Sequence, residues 1–458
     1  MTDPLFWHRL QFGFTVTYHY LFPQLTMGLA LFIVLFKWYA LRTQDAHWDA
    51  AARFWAKIFA LNFAVGVVSG IPMEFQFGTN WARFSAISGG VIGTTLAMEG
   101  MFAFFLESTF LGLFLYGEKR LSPKAHFASA VALFFGSWLS GYFIIATNAF
   151  MQHPVGFSRL ADGRLVLSDF WAFVLNPWAR WQYAHNMTAS VVTASFVVCG
   201  ISAFWLLMGL YRETAARCLR VGVIAAAISC VLQLFPTGDS QGKLVADHQP
   251  VALAAMEGVF TSGPGAKLAL IGQPDVRRGR LENPIEVPGL LSFLAYGSFG
   301  STVLGLNDVP HELWPDNMEL TYYCYHVMVG LGTLFILLGL LSLLRLIQGK
   351  LFTSRWLLWV WMLAIPFPYI ANTAGWMTAE LGRQPWAIHG LLRTALASSP
   401  RVGAGDAIFT FIGFCGLYLV VGLLFLYLVG REIAHGPSER PPSAGMPTPS
   451  ALGTAGRA

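Results

Sequence analysis

The sequence predicts an all-α fold: a polytopic membrane helix bundle of about nine transmembrane helices, N-terminus outside and C-terminus cytoplasmic. Three observations carry that prediction. The chain is 55% hydrophobic and 15% aromatic but only 12% charged, too little polar surface for a water-soluble globule of 458 residues. Apolar windows long enough to cross a bilayer recur along it. Finally, the basic residues fall in alternate short connections, which the positive-inside bias places in the cytoplasm.

The windows run roughly from Phe12 to Ala40, Phe54 to Phe75, Val91 to Tyr116, Phe127 to Phe150, His185 to Leu210, Leu219 to Phe235, Leu320 to Ile347, Trp356 to Trp376 and Ala407 to Gly430. Arg42, Arg53 and Lys57 follow the first; Lys119, Arg120 and Lys124 the third; Arg212, Arg217 and Arg220 the fifth; Arg345, Lys350 and Arg355 the seventh. The net charge of +5 is therefore topology and not a nucleic-acid footprint. Met1-Thr-Asp-Pro has neither a charged n-region nor a cleavage site, so no removable signal peptide is expected. Four segments follow: helices 1–6 over residues 1–236, an external loop over 237–317, helices 7–9 over 318–431, and a Pro-rich cytoplasmic tail over 432–458, too polar to fold.

Cys199, Cys218, Cys230, Cys324 and Cys415 lie in or beside apolar windows without paired spacing, which argues against disulfides, iron–sulfur clusters and covalent c-type haem. The chemistry is carried instead by polar residues inside the spans. His19 lies in the outer third of the first; alone, a histidine in an aromatic helix is ordinarily a packing residue. Glu74 ends the second span near the same face. Glu99 and Glu107 share the third, separated on an α-helix by about 12 Å of rise and about 80° of rotation, so the pair steps down one side. One buried hydrogen bond each is the plain reading; a proton relay is the functional one. Ser137, Ser140 and Asn148 of the fourth span are interhelical glue or the lining of a wet path. His185 opens the fifth span and Met328 lies in the outer third of the seventh, where a methionine is ordinarily core. In the long loop, Gly238-Asp-Ser-Gln-Gly242 reads as a turn around Asp239, followed by a short helix bearing Glu257.

The stretch Gly375-Trp-Met-Thr-Ala-Glu-Leu-Gly-Arg-Gln-Pro-Trp386 closes the eighth span and places Glu380 at its end, where an ionisable group requires a partner. Alternating helix direction then brings His19, Glu99, His185, Met328 and Glu380 to the outer half together. Imidazole, thioether and carboxylate at matching depth are axial-ligand chemistry for iron: His plus Met makes a six-coordinate electron-transfer haem, and a single His or carboxylate leaves a position open for a gas. Arg383 is a candidate partner for haem propionates.

With these motifs in order, the chain resembles subunit I of the cytochrome bd-type quinol oxidases, of the short quinol-loop class, over nearly all residues except the tail. The resemblance rests on the His19 segment, the Glu99/Glu107 helix, Met151-Gln-His-Pro-Val-Gly, the Gly238-Asp loop with Ala-Ala-Met-Glu257, Met328-Val-Gly-Leu-Gly, and Gly-Arg-Gln-Pro-Trp386. It implies that His185 and Met328 hold a low-spin b haem, and that His19 and Glu380 each hold one of two high-spin haems. The set is then two b-type haems plus one haem d, or a third b-type haem, with Trp376, Arg383 and Gln384 around the Glu380 site. Dioxygen is reduced there to water. Quinol is oxidised beneath the external loop, with Glu257 as the proton acceptor and Glu99 and Glu107 as the relay for cytoplasmic protons. A second subunit, and in some relatives a small single-span one, completes the enzyme in the bacterial inner membrane among its lipids. Two departures stand out: Ala252 occupies a place where relatives commonly have Lys, and His326 one where many have Arg. The competing readings are an ion-coupled secondary transporter using Glu99, Glu107 and Glu380, which leaves His185 and Met328 unexplained and finds no internal repeat or pair of broken helices, and a haem-free scaffold.

Overall fold

The computed structural model describes residues 3–437, and nine helices among them are long and apolar enough to cross a membrane. They run Pro4–Thr43, Ala46–Thr79, Ala82–Gly117, Pro123–Gln152, Phe170–Met208, Arg212–His248, Met318–Ile347, Arg355–Gly382 and Ala404–His435. The predicted tail begins within the last helix, and its part from residue 438 lies outside the described residues. Every span is longer than its apolar window, because polar caps continue the helices beyond the hydrocarbon-length core. Asp3 and Asp45 accept from the backbone N–H of Leu5 and His47 at the first two starts, and Ser122 from Ala125 at the fourth.

The arginine-rich connections gather at one end of the bundle, tied by ion pairs between neighbouring spans: Lys37–Asp49 at 2.5 Å, Arg53–Glu118 at 2.9 Å and Arg217–Asp45 at 2.8 Å. The main core sits behind them, with Leu29, Phe32, Phe36, Trp55, Phe59 and Trp205 fully enclosed. The ninth span buries only Ala407 and Tyr418 along its length, so it lies against the bundle and not within it.

The opposite end carries the long loop, which is folded throughout. A short helix Pro250–Glu257 packs on the seventh and eighth spans. An antiparallel hairpin pairs Leu268–Asp275 with Arg280–Val287, and a helix Leu290–Tyr296 follows. A second hairpin, Trp386–Ile388 with Leu392–Arg393, is fastened where His389 N–H donates to the Met151 carbonyl at 2.9 Å.

Three expectations change. Gly238–Gly242 is helical: the sixth span continues through a π-helical segment, Gln233–Gly238, into Asp239–His248. The third span is likewise π-helical over Phe102–Glu107, so the α-helical phase assumed between Glu99 and Glu107 does not hold. The eighth span is broken at residues 364–366 into Arg355–Leu363 and Phe367–Gly382, since Pro366 removes a backbone donor. Broken helices, whose apparent lack counted against the transporter reading, are therefore present.

Candidate functional site

Glu380 lies in the last turn of the eighth span and has its partner at the residue that caps that helix. Arg383 Nη2 stands 2.5 Å from Glu380 Oε2, while Asn148 and Gln152 of the fourth span donate to Oε1 at 2.8 and 3.3 Å. Gln182 of the fifth span donates to Asn148 Oδ1 at 2.7 Å, and Gln249, from the loop, donates to Gln152 Oε1 at 2.9 Å. Arg383 is only 4% exposed, while the Glu380 carboxylate it meets remains partly open. The Arg383 charge is thus met first by Glu380, where the sequence suggested a propionate. Gln384 reaches back to the Glu380 carbonyl at 3.3 Å. Arg383, Gln384, Trp386, His389 and Ala252 line a cavity of about 240 Å³ between the loop and the bundle.

The nitrogen and sulfur donors are each held on one side and cleared on another. His19 Nδ1 is 3.1 Å from Ser69 Oγ of the second span. A Cβ placed on Gly70 would come within 2.9 Å of His19 Cε1, so glycine is what lets the ring stand against that helix. His185 Nδ1 is 3.3 Å from Thr237 Oγ1, and the Gln233 amide nitrogen lies 3.1 Å from Nε2. An amide N–H only donates, so Nε2 carries the lone pair. Both partners belong to the π-helical segment of the sixth span. Met328 Sδ packs on Gly375, where a Cβ would lie at 2.8 Å. Trp376, the next residue, is half-buried.

Among the carboxylates, Glu107 is 4% exposed with the buried Ser137 beside it, and Ser140 Oγ donates to Glu99 Oε1 at 3.4 Å. Glu99 lies within electrostatic reach of both Glu74 and Glu107. Gly136 permits the fourth span to approach the π-helical turn closely: a Cβ there would lie 3.4 Å from the Glu107 backbone nitrogen.

In the loop, Glu257 is 4% exposed and its Oε2 has no hydrogen-bond partner among the described residues. Burial is the main cause that pushes its carboxyl up to about 7, opposed in part by the nearby Tyr325 hydroxyl. Asp239 forms an i,i+4 pair with Lys243 at 2.7 Å. His326 Nε2 is 3.0 Å from the Ala269 carbonyl, fixing the hairpin to the seventh span two residues before Met328.

Sequence reasoning named the donors but missed Ser69, Gln233, Thr237, Gln182 and Tyr325 as their partners. Gln152 and Gln249 lay inside quoted motifs without a role. The remaining signal was the presence of amides inside spans, since an amide in hydrocarbon requires a partner.

The donor set fits haem. An imidazole held at Nδ1 by Ser69, a second imidazole held by Thr237 and Gln233, a thioether and a carboxylate are the donor types that ligate haem iron, and glycines let the His19 ring and the Met328 thioether stand close against a neighbouring helix. A multi-span bundle that carries such donors and has a folded loop at one end is of the class of haem-bearing membrane oxidoreductases. Comparison with known proteins gives the family: the model of cytochrome bd terminal oxidase subunit I matches residues 7–437, and the chain belongs to that family. It is 35% identical over 441 residues to cytochrome bd ubiquinol oxidase subunit 1 of Bacillus subtilis (strain 168), covering 93% of each chain. It is 33% identical over 506 residues to cytochrome bd-II ubiquinol oxidase subunit 1 of Escherichia coli (strain K12), covering 96% of this chain and 98% of that one. The bd oxidase structure from Geobacillus thermodenitrificans superposes with a TM-score of 0.89 at 31% identity, over 95% of this chain and 99% of that one. The chain is accordingly a multi-pass, haem-bearing oxidoreductase subunit of the bacterial inner membrane that works with at least one further subunit. The transporter and scaffold readings fall with that assignment.

Proposed function

We propose that this subunit oxidises quinol at the outer face, beneath the loop over residues 237–317, and reduces dioxygen to water with protons drawn from the cytoplasm, so that turnover generates a proton motive force. The observation that carries the reading is that His185, Met328 and Glu380 each stand beside residues that fasten the loop to the bundle, and that this loop buries the Glu257 carboxylate with one oxygen unpartnered. His185 and Met328 hold a low-spin b haem; His19 and Glu380 each hold a high-spin haem, giving two b-type haems plus haem d or a third b. Bound haem supplies one-electron transfer and the iron at which dioxygen is reduced.

The chain's own residues do the rest. Glu257 accepts a quinol proton, because a carboxyl raised to about 7 has its ionised form available near neutral pH. The Asp239 turn of helix lies at the start of the same loop segment. Arg383 neutralises Glu380, and with Gln384 it lines the adjoining cavity, where the two would satisfy an anionic substituent of a bound haem. Glu107 takes protons arriving from the cytoplasmic side and Glu99 stands beyond it toward the haems, with Ser137 and Ser140 beside them. Subunit II covers the bundle where the third and ninth spans expose Phe105, Phe409, Leu419 and Val420. A small single-span subunit has a groove of about 660 Å³ available between the first, fourth, fifth and sixth spans; the remaining apolar face meets membrane lipid.

The test is one visible absorption spectrum of the purified oxidase, oxidised and then dithionite-reduced. A six-coordinate b signal together with high-spin haem is expected, and a d-type chlorin band distinguishes haem d from a third b. A protein without haem bands overturns the reading.

A further inference from the structure

The first span would leave the His19 ring free to turn about its side-chain bonds, and the second and ninth spans remove that freedom. Ser69 is fully buried, and its hydroxyl donates to the Gly66 carbonyl at 3.0 Å. Its proton thus committed, Oγ offers only lone pairs to His19 Nδ1, 3.1 Å away. The Gly66 carbonyl is also in hydrogen-bond reach of His19. An acceptor-only Oγ at Nδ1 requires the proton to be on that nitrogen, and a neutral imidazole then carries its lone pair on Nε2. No described residue donates to Nε2. Gly70, the next residue, lies flat against the ring, as the 2.9 Å approach of its would-be Cβ shows, so ring orientation and tautomer are set by neighbouring positions on one helix.

The ninth span anchors this arrangement. Tyr418 is one of its two buried residues, and its hydroxyl donates to the Ser69 carbonyl at 2.7 Å. Its ring stacks on Tyr18 at 4.3 Å and 14°, and Tyr18 returns a hydrogen bond to the Tyr418 carbonyl at 2.8 Å. Tyr18 is the residue before His19. The backbone on both sides of the imidazole–hydroxyl pair is thereby tied to the same tyrosine.

We infer that Ser69 is a positioning residue for the His19 iron site: its hydroxyl selects the Nδ1–H tautomer, presents Nε2 to the metal and strengthens it as a donor, with Tyr418 holding Ser69 in place. This rests on the reading of His19 as a haem ligand. The physical basis is general, since a hydrogen bond to the distal nitrogen of a ligating histidine fixes its orientation and raises its basicity, and its loss typically costs about 10- to 100-fold in metal affinity or activity.

The experiment uses the whole oxidase in membranes and after purification, comparing Ser69→Ala, Ser69→Thr and His19→Ala. Resonance Raman spectra of the reduced enzyme read the iron–imidazole stretch of the high-spin haem, and pyridine haemochrome analysis reads haem retained per protein. Ser69→Ala is expected to lower the stretching frequency and to release the high-spin haem about tenfold more readily under detergent dilution. Ser69→Thr, which keeps the hydroxyl, should restore both; His19→Ala should abolish the band. An unchanged band and full haem retention in Ser69→Ala, where His19→Ala does lose the band, overturns the role of Ser69. Equal effects of Ser69→Ala and Ser69→Thr also overturn it, because packing and not the hydroxyl would then be responsible. Retention of the band in His19→Ala instead removes His19 as the ligand, which separates failure of the underlying reading from failure of this inference.

Discussion

Glu257→Gln isolates the chemistry of the loop from its fold. Glutamine has the shape of a protonated glutamate, and in this site Oε2 has no hydrogen-bond partner to lose. Burial raises the carboxyl from its ordinary 4.5 to about 7. At about 1.36 kcal/mol per unit, ionising Glu257 in the folded loop costs about 3 kcal/mol more than in water. The raised value fixes the sign. The protonated form is the one the fold favours, so the stabilisation is fully present below the ordinary value and is lost as pH rises through about 7. Activity moves the opposite way, because only the carboxylate accepts a proton: quinol oxidation should rise with pH through about 7 and then level. Loss of a positioned base costs about 10²–10⁴-fold, so Glu257→Gln should lower quinol-driven oxygen uptake by about that factor and abolish the pH dependence near 7. The reduced-minus-oxidised haem spectrum should be unchanged. Oxygen-electrode rates across pH with a water-soluble quinol provide the assay. A variant with wild-type quinol kinetics and the wild-type pH profile refutes the argument.

Met328→Leu and His185→Ala should each abolish the low-spin b signal in the reduced spectrum and leave high-spin haem, since neither replacement offers a lone pair to iron; a persisting six-coordinate b signal in either refutes the ligand pair. Glu107→Leu should leave the haems bound and reducible by quinol while slowing turnover and reducing the membrane potential generated in proteoliposomes, because it removes a proton carrier and no ligand. A wild-type rate with full membrane potential would return Glu107 to a packing role.

How much of this was legible in the sequence follows from the range of the forces involved. The nine spans were readable because apolar length is a local quantity, and the alternation of Arg42, Arg120, Arg217 and Arg345 along the chain is visible without any tertiary contact. The histidines and carboxylates stood out because ionisable groups are costly in hydrocarbon, whereas Met328, an apolar thioether, stood out only in their company. Helix irregularity was not readable in the same way. The π-helical turns at Phe102–Glu107 and Gln233–Gly238 depend on what packs against them, and nothing in Phe-Ala-Phe-Phe-Leu-Glu distinguishes a wide turn from an ordinary one. The partner of Glu380 was in view three residues along the chain, at the cap of the same helix, yet Arg383 was read as a partner for something else. That choice turned on rotamers, which pattern does not encode.

The amides explain how the loop and the bundle come to share one site. Gln249 belongs to the loop, Gln152 to the end of the fourth span and Glu380 to the end of the eighth, and the hydrogen bonds between them run in series at 2.9 and 3.3 Å. Gln249 and Gln152 are 4% and 2% exposed, so neither has water as an alternative partner. A loop displaced from this position would leave the buried Gln152 Oε1 and the Gln152 carbonyl without the Gln249 donor, at a cost of about 1–3 kcal/mol for each group left unsatisfied. The helix Pro250–Glu257 begins at Gln249 and ends at the buried carboxylate, so the bonds that register the loop on the bundle also set where Glu257 stands. Gln152 is thus the one side chain that touches both, accepting from the loop at Oε1 and donating to Glu380 through its amide nitrogen, so the seating of the loop bears on Glu380 through that residue.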